Sequence, residues 1–347
     1  MNGVTKMESY TRGKLGIIAC ESGRPLAEKV VAELKDIIKK ENNINASGII
    51  KSKETKFSNG EIKTEIEESI RNQDIYIFQD VENKSCGLTI NDNIMALKTA
   101  IQAAKMADAQ FITTVIPVFP YARQDKPRTR ESTTASMIAR ELEDAGAARV
   151  ITLDIHNDAI AGFFRKADLE NLRASKDIAD YIKEKIGLKD LVIVAPDAGG
   201  AARANFYARK LGVKLALIHK ERDYSKANTI DSMSLIGDVK GKVAFVVDDL
   251  IDTGGTVINA AKKLKECGAE KIYFAASLAM LNGPAIERLD GAYKQGLITK
   301  VVGTNVICHG EDLHKRFEWY EEVSLAKYFA RVIYNINRGI SISRLLE

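Results

Sequence analysis

An apolar run, Val243–Val247, ends in two adjacent carboxylates, Asp248 and Asp249. Asp252-Thr253-Gly254-Gly255-Thr256 follows and opens an amphipathic stretch. A strand, a glycine-rich loop and a helix in that order turn backbone N–H groups toward one point, where the helix dipole also favours an anion. Glycine lets the backbone approach closely, and the threonines add hydroxyl donors. This is chemistry for holding a phosphate monoester. The paired carboxylates suit the vicinal hydroxyls of a sugar or a hydrated metal ion. Cradle and carboxylates together describe a site for ribose 5-phosphate. An ordinary surface turn, where Gly and Asp are common, is the competing reading. It does not account for the apolar strand, Asp-Asp and Asp-Thr-Gly-Gly-Thr occurring together.

The elements that must position these residues alternate along the chain. Leu15–Cys20, Ile75–Gln79, Ile112–Pro117 and Val150–Asp154 read as short buried strands. Pro25–Lys40, Asn93–Ala107 and Thr134–Ala145 read as helices between them, with Pro25 suited to a first turn. The second half repeats the texture. Its strands are Leu191–Ala195, Leu215–Ile218, Val243–Val247 and Ile272–Ala276, and its helices lie near Gly200–Leu211 and Thr256–Cys267. Such alternation predicts an α/β chain of parallel sheets covered by helices on both faces. Ile75–Pro117 and Val243–Met280 share a strand, loop, helix, strand pattern, a hint of duplication. The expected division is a first domain over 1–168 and a second over 169–324. A last helix, within 325–347, would pack back on the first domain.

Totals narrow the class. The chain has 347 residues, 51 basic and 47 acidic, for a net charge of +4. That balance lacks the basic excess expected of a nucleic-acid binder. No apolar run has the length to span a bilayer, and residues 1–12 lack the apolar core of a signal peptide. No membrane association and a cytoplasmic location are the expectation. Cys20, Cys86, Cys267 and Cys308 form no C-x-x-C pair, which argues for idle thiols rather than a zinc or redox site.

The loop at Asp248–Thr256 resembles the phosphoribosyl-binding loop of type I phosphoribosyltransferases and phosphoribosyl pyrophosphate synthetases. Further segments are similar to the synthetases in particular: Lys56–Gln79, Val115–Pro127, Val150–Phe164, Val192–Ala204 and Gly339–Leu346. The resemblance runs from about Gly13 to the C-terminus. It implies two related type I phosphoribosyltransferase-like domains, each a mainly parallel sheet flanked by helices. It also implies transfer of the β,γ-diphosphate of MgATP to ribose 5-phosphate, giving phosphoribosyl pyrophosphate and AMP.

On this resemblance Phe57, Asn59, Glu61, Arg123 and Gln124 bind ATP. An aromatic face suits a purine, and an arginine past a strand end can grip phosphate in two places. Phe57 taken alone is equally suited to core packing. Asp197, Asp248, Asp249, Asp252, Thr253, Gly254, Gly255 and Thr256 would bind ribose 5-phosphate. His156 and Asp197 are implied as groups on magnesium, although a hard cation prefers oxygen. Asp197 has the alternative of the ribose hydroxyls. Lys220 and Arg222 lie in a charged segment that composition alone reads as a solvated loop. The resemblance makes it a mobile catalytic loop whose two cations neutralise the transferred diphosphate. Lys220–Gly237 is slightly longer than is usual in the family.

The resemblance further implies a homo-oligomer, dimeric or hexameric. Phosphate activation and ADP inhibition would act through Arg128, Arg130, Ser341 and Ser343, on a slightly shortened loop. Two other functions share parts of the pattern: a phosphoribosyltransferase, and a non-catalytic regulatory homologue of the synthetase. The first lacks segments like Phe57–Glu61 and Tyr121–Asp125. The second would be expected to lose Lys220 and Arg222 or the Asp248–Thr256 loop.

Overall fold

The computed structural model describes residues 12–41, 46–127, 129–222, 230–310 and 313–346. The chain divides into two units. One comprises the residues through Leu172 together with Leu325–Glu347, the other Arg173–Ser324.

In the first unit β1 (Leu15–Ala19) leads into α1 (Arg24–Lys40), with Pro25 in its first turn. Leu26, Ala27, Val30, Val31, Leu34 and Ile37 form the buried stripe of that helix. Then come β2 (Ala46–Ile49), an antiparallel hairpin of β3 (Ser52–Lys56) and β4 (Ile62–Ile66), and β5 (Asp74–Phe78). α2 (Ile90–Met106), β6 (Phe111–Val115), α3 (Thr134–Ala145), β7 (Arg149–Leu153) and β8 (Asp168–Leu172) complete the run. The sheet order is β2-β1-β5-β6-β7-β8, with every pairing parallel. All residues of β1 and β5 are buried, because helices cover both faces, and such strands read as unbroken apolar runs. The boundary expected after residue 168 falls after Leu172 instead. Asp168–Leu172 pairs with β7 as the edge strand, and Asp168 meets Arg149 at 3.0 Å.

The second unit begins with α4 (Ser175–Tyr181), β9 (Leu191–Ala195), α5 (Ala201–Leu211) and β10 (Lys214–Arg222). β11 (Ile230–Ile236), β12 (Val243–Ile251), α6 (Gly255–Glu266) and β13 (Lys271–Ala279) follow. It closes with α7 (Ala285–Lys294), β14 (Lys300–Thr304), α8 (Leu313–Arg316) and β15 (Tyr320–Val323). The order is β11-β10-β9-β12-β13-β14-β15, and only the β10–β11 pairing is antiparallel. Val194, Val246, Leu264, Ile272, Phe274 and the fully buried Trp319 are among its core.

The chain then returns to the first unit as α9 (Ala326–Asn337), which packs on α1, and ends in α10 (Ser343–Leu346). Phe329, Val332 and Ile333 of α9 are fully buried. Asn337 donates to Asp74 Oδ2 at 3.0 Å, Tyr76 donates to the same oxygen at 3.1 Å, and Arg12 stands 3.7 Å from Oδ1. Burial raises the Asp74 carboxyl, and these partners oppose the rise.

With the hairpins set aside, the sheets run β2-β1-β5-β6-β7-β8 and β10-β9-β12-β13-β14-β15. These are one order read twice, the topological form of the duplication hinted at by the sequence. In each, the order reverses between the first strand of the unit and the strand that starts its central βαβ, β1/β5 and β9/β12. Open α/β sheets bind ligands at the carboxyl ends of the strands beside such a switch. Among the described residues no helix is long and apolar enough to cross a membrane.

Candidate functional site

β12 carries Asp248 and Asp249 at the carboxyl end of the sheet, beside the switch point of the second unit. The Asp248 side chain accepts from the Asp249 N–H at 2.9 Å. Arg203, from the first turn of α5, reaches across from the neighbouring β9–α5 connection. Its Nη1 lies 3.4 Å from Asp248 Oδ1 and 3.6 Å from Asp249 Oδ1. Burial pushes the Asp248 carboxyl well above the usual carboxylate range. The hydrogen bond and charge of Asp249 push the same way, while Arg203 opposes them. Asp249 is buried and Asp248 half-buried, so the pair presents one open edge.

The loop that follows is turned as an anion cradle requires. Gly254 holds φ at 75°, in the left-handed region that only glycine enters freely, and it is the N-cap residue of α6. No side chain caps that helix start, so its first N–H groups are left to another acceptor. Thr253 and Thr256 are exposed beside it. Asp197 lies at the end of β9, and its turn packs against β12. One of its carboxylate oxygens accepts from the Gly200 N–H at 3.1 Å. The structure thus gathers Asp197, Asp248, Asp249 and Asp252–Thr256 at one edge of one sheet.

The other expected residues lie elsewhere. Phe57, Asn59 and Glu61 form the tip of the β3–β4 hairpin, closed by Phe57 N–H to Glu61 O at 2.8 Å and Gly60 N–H to Phe57 O at 2.9 Å. Asn59 Oδ1 accepts from the Glu61 N–H at 3.1 Å. Phe57 is 47% exposed, which excludes core packing. The hairpin is pinned to α2: Lys56 meets Asp92 at 2.9 Å, and Thr64 bonds Thr99 at 2.8 Å. Lys56 and the capping bonds from Thr89 hold the Asp92 carboxyl down at about 2.

Arg123 and Gln124 are exposed past the end of β6. The Gln124 amide oxygen is taken by Thr134 Oγ1 at 2.6 Å. His156 is exposed past the end of the adjacent β7. Arg130 is exposed, and Ser341 and Ser343 hydrogen-bond each other at 3.3 Å. Arg128 lies outside the described residues. Lys220 and Arg222 do not stand on a loop, as both composition and the resemblance suggested. Their backbones continue β10, opposite Met233 and Ile230 of β11. Their side chains, and residues 223–229, lie outside what is described. Among the described residues no group of three or more His, Cys, Asp or Glu is arranged to hold a metal ion. Arg203 had no signal of its own in the sequence, being one of several cations in an ordinary amphipathic helix.

Residues 15–146 match the N-terminal domain of ribose phosphate pyrophosphokinase, and residues 167–313 match the phosphoribosyl transferase domain. Ribose-phosphate pyrophosphokinase 1 of Listeria monocytogenes is 39% identical over 97% of this chain and 99% of its own length. The enzyme of Listeria ivanovii is equally similar over the same shares. The chain belongs to the ribose-phosphate pyrophosphokinase family.

The crystal structure of phosphoribosylpyrophosphate synthetase from Mycobacterium smegmatis superposes with a TM-score of 0.79. It shares 34% identity and covers 93% of this chain and 98% of that one. Within the pyrophosphokinase framework the first matched domain carries the Phe57 hairpin, Arg123 and Gln124. The second carries Asp197, the Asp248–Asp249 pair and the loop through Thr256.

Proposed function

We propose that this ribose-phosphate pyrophosphokinase transfers the β,γ-diphosphate of ATP to the C1 hydroxyl of ribose 5-phosphate, releasing AMP. Full-length family membership carries this reading, supported by an intact cradle at the start of α6. The 5-phosphate sits against the N–H groups and threonine hydroxyls of Asp252–Thr256. The ribose hydroxyls donate to Asp248 and Asp249, which Arg203 holds side by side. ATP is bound by the first unit. Its adenine stacks on exposed Phe57 with Asn59 and Glu61 at its edge, and its phosphates meet Arg123, with Gln124 alongside.

The anomeric oxygen attacks the β-phosphorus in line with the departing AMP oxygen. The bond from the α-phosphate oxygen to the β-phosphorus breaks as the new one forms, and the proton of the anomeric hydroxyl is released to water. The protein's part is alignment and charge neutralisation, the second supplied by Lys220 and Arg222. Asp197 and His156 are the side chains that would hold magnesium. A carboxylate such as Asp197, which accepts from the Gly200 N–H, is the hard oxygen donor such a cation prefers, and His156 is exposed. Magnesium bound with ATP screens the phosphate charge that would repel the nucleophile. A cytoplasmic homo-oligomer is part of the same proposal. Arg130, Ser341 and Ser343 are offered, with Arg128, as the residues of phosphate and ADP control.

The deciding experiment is AMP release by the purified chain with MgATP, with and without ribose 5-phosphate. AMP formed only with the sugar phosphate supports the synthetase. No AMP despite ATP binding points to a non-catalytic regulatory homologue.

A further inference from the structure

Three consecutive carbonyls at the end of β12 are all held from one side, by the segment that follows β13. Ile251 O accepts from the Leu281 N–H at 3.1 Å, and Asp252 O from the Asn282 N–H at 2.8 Å. Thr253 O accepts from Arg288 Nη1 at 3.0 Å. A continuing strand could not offer this pattern, because its successive carbonyls alternate in direction. In a trans peptide the carbonyl of one residue and the N–H of the next point oppositely. Three carbonyls facing the β13–α7 segment therefore turn the N–H groups of Asp252, Thr253 and Gly254 toward the other side, where the cradle lies.

The bracing segment is itself tightly determined. Leu281 holds φ at 50°, rare for a bulky residue, with its side chain anchored in the core of the second unit. Ala285 and Leu289 of α7 contact the position a side chain at Gly254 would take, each at 3.7 Å. Two of the three tethers are backbone bonds. Arg288 supplies the third, the tether nearest the helix start.

We infer that Arg288 is a positioning residue for the sugar phosphate: from α7 it fixes the Thr253–Gly254 peptide so that its N–H faces the 5-phosphate. This rests on the ribose 5-phosphate site proposed above. Arg288 touches no reacting atom. Its loss should weaken ribose 5-phosphate without changing how ATP is bound.

The test is steady-state kinetics of R288M, R288K and the neighbouring control E287Q, with melting temperatures and calorimetric titration of ribose 5-phosphate alone. R288M keeps the aliphatic stem and removes the donor. It should raise the KM and Kd for ribose 5-phosphate roughly three- to tenfold, with the KM for ATP and the melting temperature unchanged. R288K, which keeps the charge and a donor, should fall between wild type and R288M, and it serves as the test variant should R288M not fold. E287Q should match wild type. An unchanged KM for ribose 5-phosphate in R288M, or equal rises for both substrates, overturns the inference. Failure of the underlying reading is seen separately, as wild-type protein that neither binds ribose 5-phosphate nor releases AMP in its presence.

Discussion

In the proposed function Asp248 and Asp249 form a ligand site held ready at the cost of native stability. Two carboxylates placed side by side and partly withdrawn from water repel each other, and one arginine shared between them offsets only part of that. The native state therefore holds the Asp248 proton more tightly than the unfolded chain does. By linkage, stability falls as pH rises from the ordinary aspartate range through the raised native value. D248N removes the titration. Its melting temperature should exceed that of wild type by a margin that widens from about pH 5 to about pH 9. Turnover measured near pH 9, above that raised value, should fall about ten- to a hundredfold from the lost charged acceptor. Parallel melting curves across pH for the two proteins would rule out this account of the pair. The acceptor residues themselves were legible in the sequence, because Asp-Asp and Asp-Thr-Gly-Gly-Thr have few other uses at a strand end. Arg203 and Arg288 were not. Each lies in a helix rich in charge, and only the packing of α5 on β12 and of α7 on α6 brings them to the candidate site.

At the scale of elements, the buried parallel strands were legible because two covered faces demand continuous apolar runs, as in Leu15–Ala19 and Leu191–Ala195. The exposed strands were not. β3 (Ser-Lys-Glu-Thr-Lys) and β4 (Ile-Lys-Thr-Glu-Ile) are largely solvated, and β11 exists through its pairing with an extended β10. In the proposed function both hairpins carry site residues: the first presents Phe57, the second begins from Lys220 and Arg222. The Phe57 hairpin makes a separable element because side-chain bonds to α2, Lys56–Asp92 and Thr64–Thr99, fix its position while its tip stays exposed. F57A removes no core contact, so its melting temperature should equal that of wild type. Its KM for ATP should rise about fivefold or more from lost stacking, with ribose 5-phosphate unaffected. A fall in melting temperature with unchanged KM for ATP would return Phe57 to a structural role.

At the scale of the molecule, the two units repeat one strand order yet differ in how the chain builds them. The second is a single continuous segment, Arg173–Ser324, with its own core. The first is discontinuous: α9 returns after the second unit is complete to cover α1. Without α9, the apolar stripe of α1 loses Phe329, Ile333 and their neighbours, and Asp74 loses the Asn337 donor while remaining at the core end of β5. A buried carboxylate deprived of a partner and an uncovered helix face both destabilise, by several kcal/mol together. That exceeds a large part of what a domain of this size has in reserve. Residues 173–324 expressed alone should therefore unfold cooperatively on heating. Residues 1–172 alone should aggregate or melt without a transition, and joining residues 325–347 to them through a flexible linker should restore one. Circular dichroism melts of the three fragments decide it. A cooperative melt from 1–172 alone, near that of the linked form, would show that α9 only decorates the first unit and that the repeat is complete without it.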